Sequence, residues 1–250
     1  MRFDVLTLFP EIFQGYLGQS LLHRAIQSDL VEVHLHDIRN WSYDRHRSVD
    51  DRPFGGGPGM VMKVDVVVPA VEAVRAQDAD CGHLVMLTPQ GRRLDQSIVE
   101  QLAGHRRIVL LCGRYEGFDE RIRAILEPDQ ISLGDFVLNG GEVAAMAVID
   151  AVIRLLPGVL GDEQSSECDS FSGENRWLEF AHYTRPREYR GLEVPPVLIG
   201  GNHEEIERWR KENSRQRTLE HRADLLSMPK VNQLQPPKPN RNGSENIEPA

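Results

Sequence analysis

Residues 107–126, RIVLLCGRYEGFDERIRAIL, carry the reading on which the fold turns. Arg107–Cys112 is an apolar run too short for a helix, so it reads as a core strand. Gly113–Gly117 then forms a loop bounded by glycines, and Phe118–Leu126 has helical spacing. The same alternation extends in both directions. Arg2–Phe9, Val31–Leu35, Leu84–Leu87 and Gln130–Leu133 read as strands, the second alternating with period two. Ser20–Leu30, Val64–Ala76, Leu94–Leu102 and Glu142–Leu155 read as helices, with Pro69 as an internal defect in the second. Strand–helix alternation of this kind implies an α/β fold, a mainly parallel sheet with helices on both faces.

The pattern stops after Leu156. Pro157–Asn175 is polar and has no apolar period, which suits a functional loop or linker. His203–Glu212 and Gln216–Leu226 regain helical spacing, and the chain beyond Pro229 reads as a disordered tail. The expected divisions are a sheet domain at 1–160, a linker or lid at 161–175, a small helical domain at 176–228 and the tail at 229–250.

Composition narrows the class. Of the 250 residues 40% are hydrophobic and 27% charged, as in an ordinary globular protein. No apolar run approaches the roughly 20 residues of a membrane span. The N-terminus reads as a first strand rather than a secretory signal, so cytoplasm is the expectation. Cys81, Cys112 and Cys168 are odd in number and widely spaced, which indicates neither a disulfide framework nor a zinc site. Cys112 ends an apolar run and suits a buried small hydrophobe. The net charge of −9 argues against a general nucleic-acid surface, but it is unevenly spread. Residues 116–174 hold 13 acids and 3 bases, whereas 207–222 hold 6 bases and 3 acids. That gives an acidic body and a basic C-terminal element, or an ordinary solvated helix face.

Three strand ends run into unusual loops: Leu87–Gly91, Cys112–Gly117 and Leu133–Gly141. In open parallel sheets ligands bind beyond the carboxyl ends of strands, and glycines there let the backbone approach a ligand. One such loop is ordinary turn chemistry; three in succession point to a site. Neither GxxxxGK[ST] nor GxGxxG after the first strand is present, which excludes the usual phosphate cradles. The loops hold Glu116 and Asp135 and few bases besides Arg114, which favours a neutral or cationic ligand. S-adenosylmethionine, with a sulfonium, an ammonium and no phosphate, fits. A fourth glycine loop, Phe54–Met60, follows the charged run Arg45–Arg52 and reads as a contact surface for phosphates or a partner subunit, or as a surface turn. Asp169, before Ser170, reads as a helix N-cap or as a general base on a lid.

Seven segments in register carry a resemblance. They are VDDRPFGGGPGM at 49–60, CGRYEG at 112–117, GDFVLNGGE at 134–142, PGVLG at 157–161, DSF at 169–171, HYTRP at 182–186 and GNH at 201–203. Together they resemble the bacterial tRNA (guanine-N1)-methyltransferases, S-adenosylmethionine-dependent enzymes of the knotted, SPOUT class. The resemblance implies a deep trefoil knot in the sheet domain, which the rarity of knots would otherwise exclude. It also implies a homodimer with active sites between subunits, and a target guanine 3′-adjacent to the anticodon in tRNAs where another guanine precedes it. By the same resemblance the cofactor lies against Leu87, Thr88 and Pro89, and against Gly113, Arg114, Tyr115, Glu116 and Gly117. The third wall is Ile131, Ser132, Leu133, Gly134, Asp135, Phe136, Val137 and Leu138, with Gly140 and Gly141.

Asp169 becomes the general base and Arg154 its electrostatic partner. Guanine N1 is not nucleophilic until it loses its proton, which a carboxylate within hydrogen-bond reach can take. The negative charge that then moves to O6 suits an arginine fork. Glu116 is cast as an orienting group, or one linked to Mg2+, because an acid held tightly on the sulfonium would oppose loss of its charge. The segment 173–181 and Cys168 depart from the family pattern. Two rivals differ in class: a related enzyme acting on another RNA position or ribose, and a non-enzymatic RNA-binding protein that kept the fold. Arg154, Asp169 and the intact loops argue against the second. The tRNA contacts are expected at 45–60 and 207–222.

Overall fold

The computed structural model describes residues 1–161 and 169–227. The expected tail at 229–250 and residues 162–168 of the 161–175 linker, Cys168 among them, lie outside the described residues. The chain separates into two compact units, Met1–Ser166 and Glu167–Ala250.

In chain order the first unit has β1 (Arg2–Thr7), α1 (Gln14–Leu17), α2 (Ser20–Gln27), β2 (Glu32–Asp37), β3 (Asp50–Asp51), β4 (Val61–Met62) and α3 (Val64–Arg75). There follow β5 (His83–Arg93), α4 (Gln96–Ala103), β6 (Arg107–Cys112), α5 (Glu120–Leu126), β7 (Asp129–Ser132) and α6 (Glu142–Ile153). Five strands form a parallel sheet in the order β2-β1-β6-β5-β7. Side chains alternate across it. Phe3, Val5, Val85, Leu87, Ile108 and Leu110 join one apolar cluster with α2, α4 and α6. Leu6, Leu84, Met86, Val109 and Leu111 join a second with α3 and α5. Helices therefore cover both faces, as the alternation of apolar strands and helices implied.

Two local signals explain the helix starts. Asp95 and Asp119 accept from the N–H groups of Ile98 and Arg121, capping α4 and α5. Pro69 is accommodated within α3. The β3–β4 hairpin, absent from the sequence reading, presents the glycine loop at its tip.

The expected end of the third strand at Leu87 is corrected. β5 continues to Arg93, and both Leu87 and Arg92 are partners of Ile131 in β7. Thr88–Gly91 is thus an excursion inside the strand, a break that apolar patterning cannot distinguish from a strand end. α6 follows the edge strand β7, yet it packs against β1 and β6.

The amino ends of the strands hold a buried charge network. Asp4, fully buried, accepts from Arg2 Nε at 2.9 Å and Arg107 Nε at 2.8 Å, and His36 Nε2 lies 2.8 Å away. Arg107 also donates to the carbonyls of Val74, at 2.7 Å, and Asp80, at 2.6 Å. Burial alone would raise the Asp4 pKa; the hydrogen bonds from His36, Arg2 and Arg107 outweigh it and hold the carboxyl well below the usual range.

The second unit contains a small hairpin, β8 (Glu188–Tyr189) with β9 (Leu192–Glu193), and one long helix, α7 (His203–His221). Arg190 and Gly191 both have positive φ, as a two-residue turn of this type requires. Where two helices were expected, α7 runs unbroken through Asn213–Arg215 and a 3-10 turn follows at Ala223–Ser227. Polar side chains explain its continuity. Asn213 Oδ1 accepts from Ala181 N–H at 2.8 Å, Ser214 Oγ donates to the Leu178 carbonyl at 2.6 Å, and Thr218 Oγ1 accepts from Leu178 N–H at 3.0 Å. These residues bury a polar seam that apolar periodicity does not register.

Candidate active site

The excursion inside β5 and the loops at the carboxyl ends of β6 and β7 close around one cleft of about 230 Å3. Every expected cofactor residue lines it except Asp135, and Phe118, Asn139 and Ala144 join them. Phe118 had a sequence signal, since it opens the helical segment behind the second loop. Ala144 carried none; it becomes visible only when α6 is packed against the sheet.

The loops lock together through backbone approaches that need glycine. A Cβ on Gly91 would lie 2.4 Å from the Ile131 nitrogen. One on Gly141 would lie 2.8 Å from Cys112 Cα, and the Gly141 N–H donates to the Gly113 carbonyl at 2.9 Å. Tyr115, at φ 60°, occupies the left-handed region, which costs a non-glycine residue backbone strain.

Arg114 lines the cleft, but its guanidinium is engaged elsewhere. Nε donates to Glu142 Oε1 at 3.1 Å, and Nη2 lies 2.9 Å from Oε2 as an ion pair without hydrogen-bond alignment. Its Nη1 donates to the Asn139 carbonyl at 3.2 Å, and the group sits over the Phe9 ring. Glu142 is 1% exposed and also accepts from Thr7 Oγ1 at 2.8 Å. One buried carboxylate at the start of α6 therefore ties together the ends of β1 and β6 and the third loop. Burial pushes the Cys112 thiol up, with the Glu142 charge adding to it, which fits a packed hydrophobe and not a nucleophile.

Glu116 faces the glycine hairpin. A Cβ on Gly59 would meet its carboxylate, while Glu116 N–H donates to the Met60 carbonyl at 3.0 Å and Met62 N–H donates to that of Gly117 at 2.9 Å. Burial raises the Tyr115 phenol pKa, and the nearby Asp50 carboxylate raises it further. The β3–β4 hairpin is thus attached to the wall of the cleft, with Phe54 fully exposed at its tip. No group of three or more His, Cys, Asp or Glu among the described residues is placed to hold a metal ion.

Arg154 follows α6 in the first unit, and Asp169 lies in the second. The Asp169 carbonyl accepts from Ser172 N–H at 3.1 Å, and no helix follows within 169–181, so the N-cap reading is set aside. Asp169 instead lines a pocket with Trp177, Glu179 and Phe180. Much of the positive charge of 207–222 is locally paired. Arg210 Nη1 lies 2.6 Å from Glu207 and Arg215 Nη1 3.3 Å from Glu212, one helical turn apart, and Arg222 Nη2 lies 2.8 Å from Asp224. No helix among the described residues is long and apolar enough to cross a membrane.

A family model described as tRNA (Guanine-1)-methyltransferase TrmD matches residues 1–228. Several curated relatives are named tRNA (guanine-N(1)-)-methyltransferase. One from Rhodopirellula baltica is 62% identical over 227 residues, covering 90% of this chain and 94% of its own. One from Chloroflexus aurantiacus is 53% identical, covering 91% and 88%. One from Dehalococcoides mccartyi is 52% identical, covering 90% of each. Loops, spacing and similarity agree: the chain belongs to the tRNA (guanine-1)-methyltransferase family.

Proposed function

We propose that the chain transfers a methyl group from S-adenosylmethionine to N1 of the guanine 3′-adjacent to the anticodon of tRNAs. The observation that carries this reading is the cleft, glycine-walled and carrying a single base whose charge Glu142 already neutralises. A polyphosphate would find there, among the described residues, only a cation already paired with a carboxylate. A phosphate-free cofactor with an apolar rim of Leu87, Pro89 and Leu138 and backbone groups around it fits. When bound, S-adenosylmethionine supplies an electrophilic methyl group on sulfonium sulfur.

The residues of the chain supply the rest. Asp169 takes the N1 proton, Arg154 offsets the charge that develops on O6, and Glu116 orients the bound groups from its place against Gly59. Mg2+ would have to be held largely by substrate, since the protein offers no cage of its own among the described residues. The fold carries a trefoil knot in this reading. Its support is that α6 leaves the edge strand β7 and still packs against β1. The active unit is a homodimer with shared sites, in the cytoplasm. Residues 1–160 hold the cofactor, and the helical segment after 176, with the loop at 45–60, binds tRNA through phosphate contacts.

Labelled methyl transfer to unmodified tRNA transcripts, with the product position mapped, tests the reading. Guanine N1 next to the anticodon should carry the label, and replacing the preceding guanine should suppress it. Asp169→Asn should abolish single-turnover transfer while cofactor affinity stays near normal. Transfer at the parent rate would remove Asp169 from the role of base, and label on ribose would reject the reaction.

A further inference from the structure

We infer that Glu179 is a second guanine-reading carboxylate, accepting the exocyclic N2 amine of the base whose N1 proton Asp169 removes. The inference rests on the reaction proposed above. Asp169 and Glu179 line one pocket of about 290 Å3 formed wholly within the second unit, beside Trp177, Phe180, Arg210 and Lys211. Glu179 is held there from both sides of its backbone. Its N–H donates to Ser170 Oγ at 3.0 Å, the side chain next to Asp169, and its carbonyl accepts from Arg217 Nε at 3.2 Å. The Ser170 contact ties Glu179 to the turn that presents Asp169. The Arg210 guanidinium lies over the Phe180 ring, 4.8 Å from its centroid.

Carboxylates, cations and aromatic surface in one recess match a nucleobase better than a bare phosphate. Single-stranded bases are read by stacking and by hydrogen bonds to their edges. The Watson–Crick edge of guanine offers two donors, N1–H and the N2 amine, beside the O6 acceptor. Asp169 accounts for the first donor alone. The second needs another acceptor, and it is the group that separates guanine from adenine and inosine at C2. His182 Nε2 lies 2.8 Å from Glu179 Oε1.

The test compares full-length parent, Glu179→Gln and Glu179→Leu on tRNA transcripts carrying guanosine or inosine at the target position. Inosine keeps N1–H and O6 and lacks only the amine. The parent should favour guanosine by about tenfold or more in kcat/KM, mostly through KM. Glu179→Gln, which keeps an acceptor, should retain part of that preference. Glu179→Leu should reduce it to within about twofold. Equal use of both substrates by the parent would overturn the inference, and so would a Glu179→Leu enzyme that slows on both alike and keeps the full preference. A purely structural role predicts that second result. Failure of the parent to methylate the guanosine transcript would instead reject the reaction itself.

Discussion

Two arginines bracket strand β6, and each meets a buried carboxylate. Arg107 starts the strand and pairs with Asp4 of β1; Arg114 follows it and pairs with Glu142 at the start of α6. The first pair is sealed: the Arg107 side chain is 2% exposed, and Arg2, His36 and the backbone carbonyls of Val74, Arg75 and Asp80 complete the network. The second is partly open. Arg114 is 20% exposed, lies on the cleft wall and holds glycine loops in place. The same interaction thus does two kinds of work. At the amino ends of the strands it holds the sheet together, and at the carboxyl ends it shapes a ligand site.

Breaking the sealed pair should have the largest effect. Arg107→Met leaves Asp4 and three carbonyls short of a donor and should cost about 3–5 kcal/mol by denaturant unfolding. The acid limb sharpens the point. Asp4 stays ionised in the folded chain at pH values where the unfolded chain would bind a proton. Its stabilisation is therefore complete above the unfolded carboxylate pKa of about 3.9 and is lost as pH falls toward the lower folded value. Asp4→Asn should flatten that loss in acid melts; an unchanged acid limb would remove Asp4 as its cause.

Glu142→Gln should cost less stability, about 2 kcal/mol, because Arg114 can turn to water. It should cost more in function, weakening cofactor binding by about tenfold in titration as the loops lose their tie. A stability loss matching that of Arg107→Met, with cofactor affinity intact, would show that the two ends do not differ. Gly141→Ala drives a Cβ into the Cys112–Gly113 backbone, which has no flexible side chain to yield. About 1–3 kcal/mol and a clear loss of cofactor affinity are expected by melting and titration. The smallest effect belongs to the hairpin tip, where Phe54→Ser should leave stability within about 0.5 kcal/mol. A weaker tRNA KM in the same variant would establish the tip as a contact surface.

How much was legible varies by element. Arg107–Cys112 was read to the residue because a central parallel strand is apolar throughout. The helices were found to within a few residues, their starts shifted by the caps at Asp95 and Asp119. The excursion at Thr88–Gly91 was mistaken for a strand end, since pairing to the same β7 residue on both sides leaves no local trace. The two helices expected at 203–226 merged because Asn213, Ser214 and Thr218 pack by hydrogen bonds. At the site, the glycine loops were legible as a set. The pairing of Arg114 was not: the family resemblance placed it against the cofactor, and on the cleft wall its guanidinium is turned to Glu142.

The sequence by itself determined the alternation of strands and helices, the three glycine-bearing loops and the absence of the usual phosphate motifs. All are local: apolar period, glycine placement and residue order survive without a fold. Only the tertiary structure decided which loops touch, that Gly91 and Gly141 sit against backbone, and that Glu142 unites β1, β6 and α6. Those contacts join residues as far apart as Thr7 and Glu142, 135 positions along the chain, and only packing brings such groups within hydrogen-bond reach.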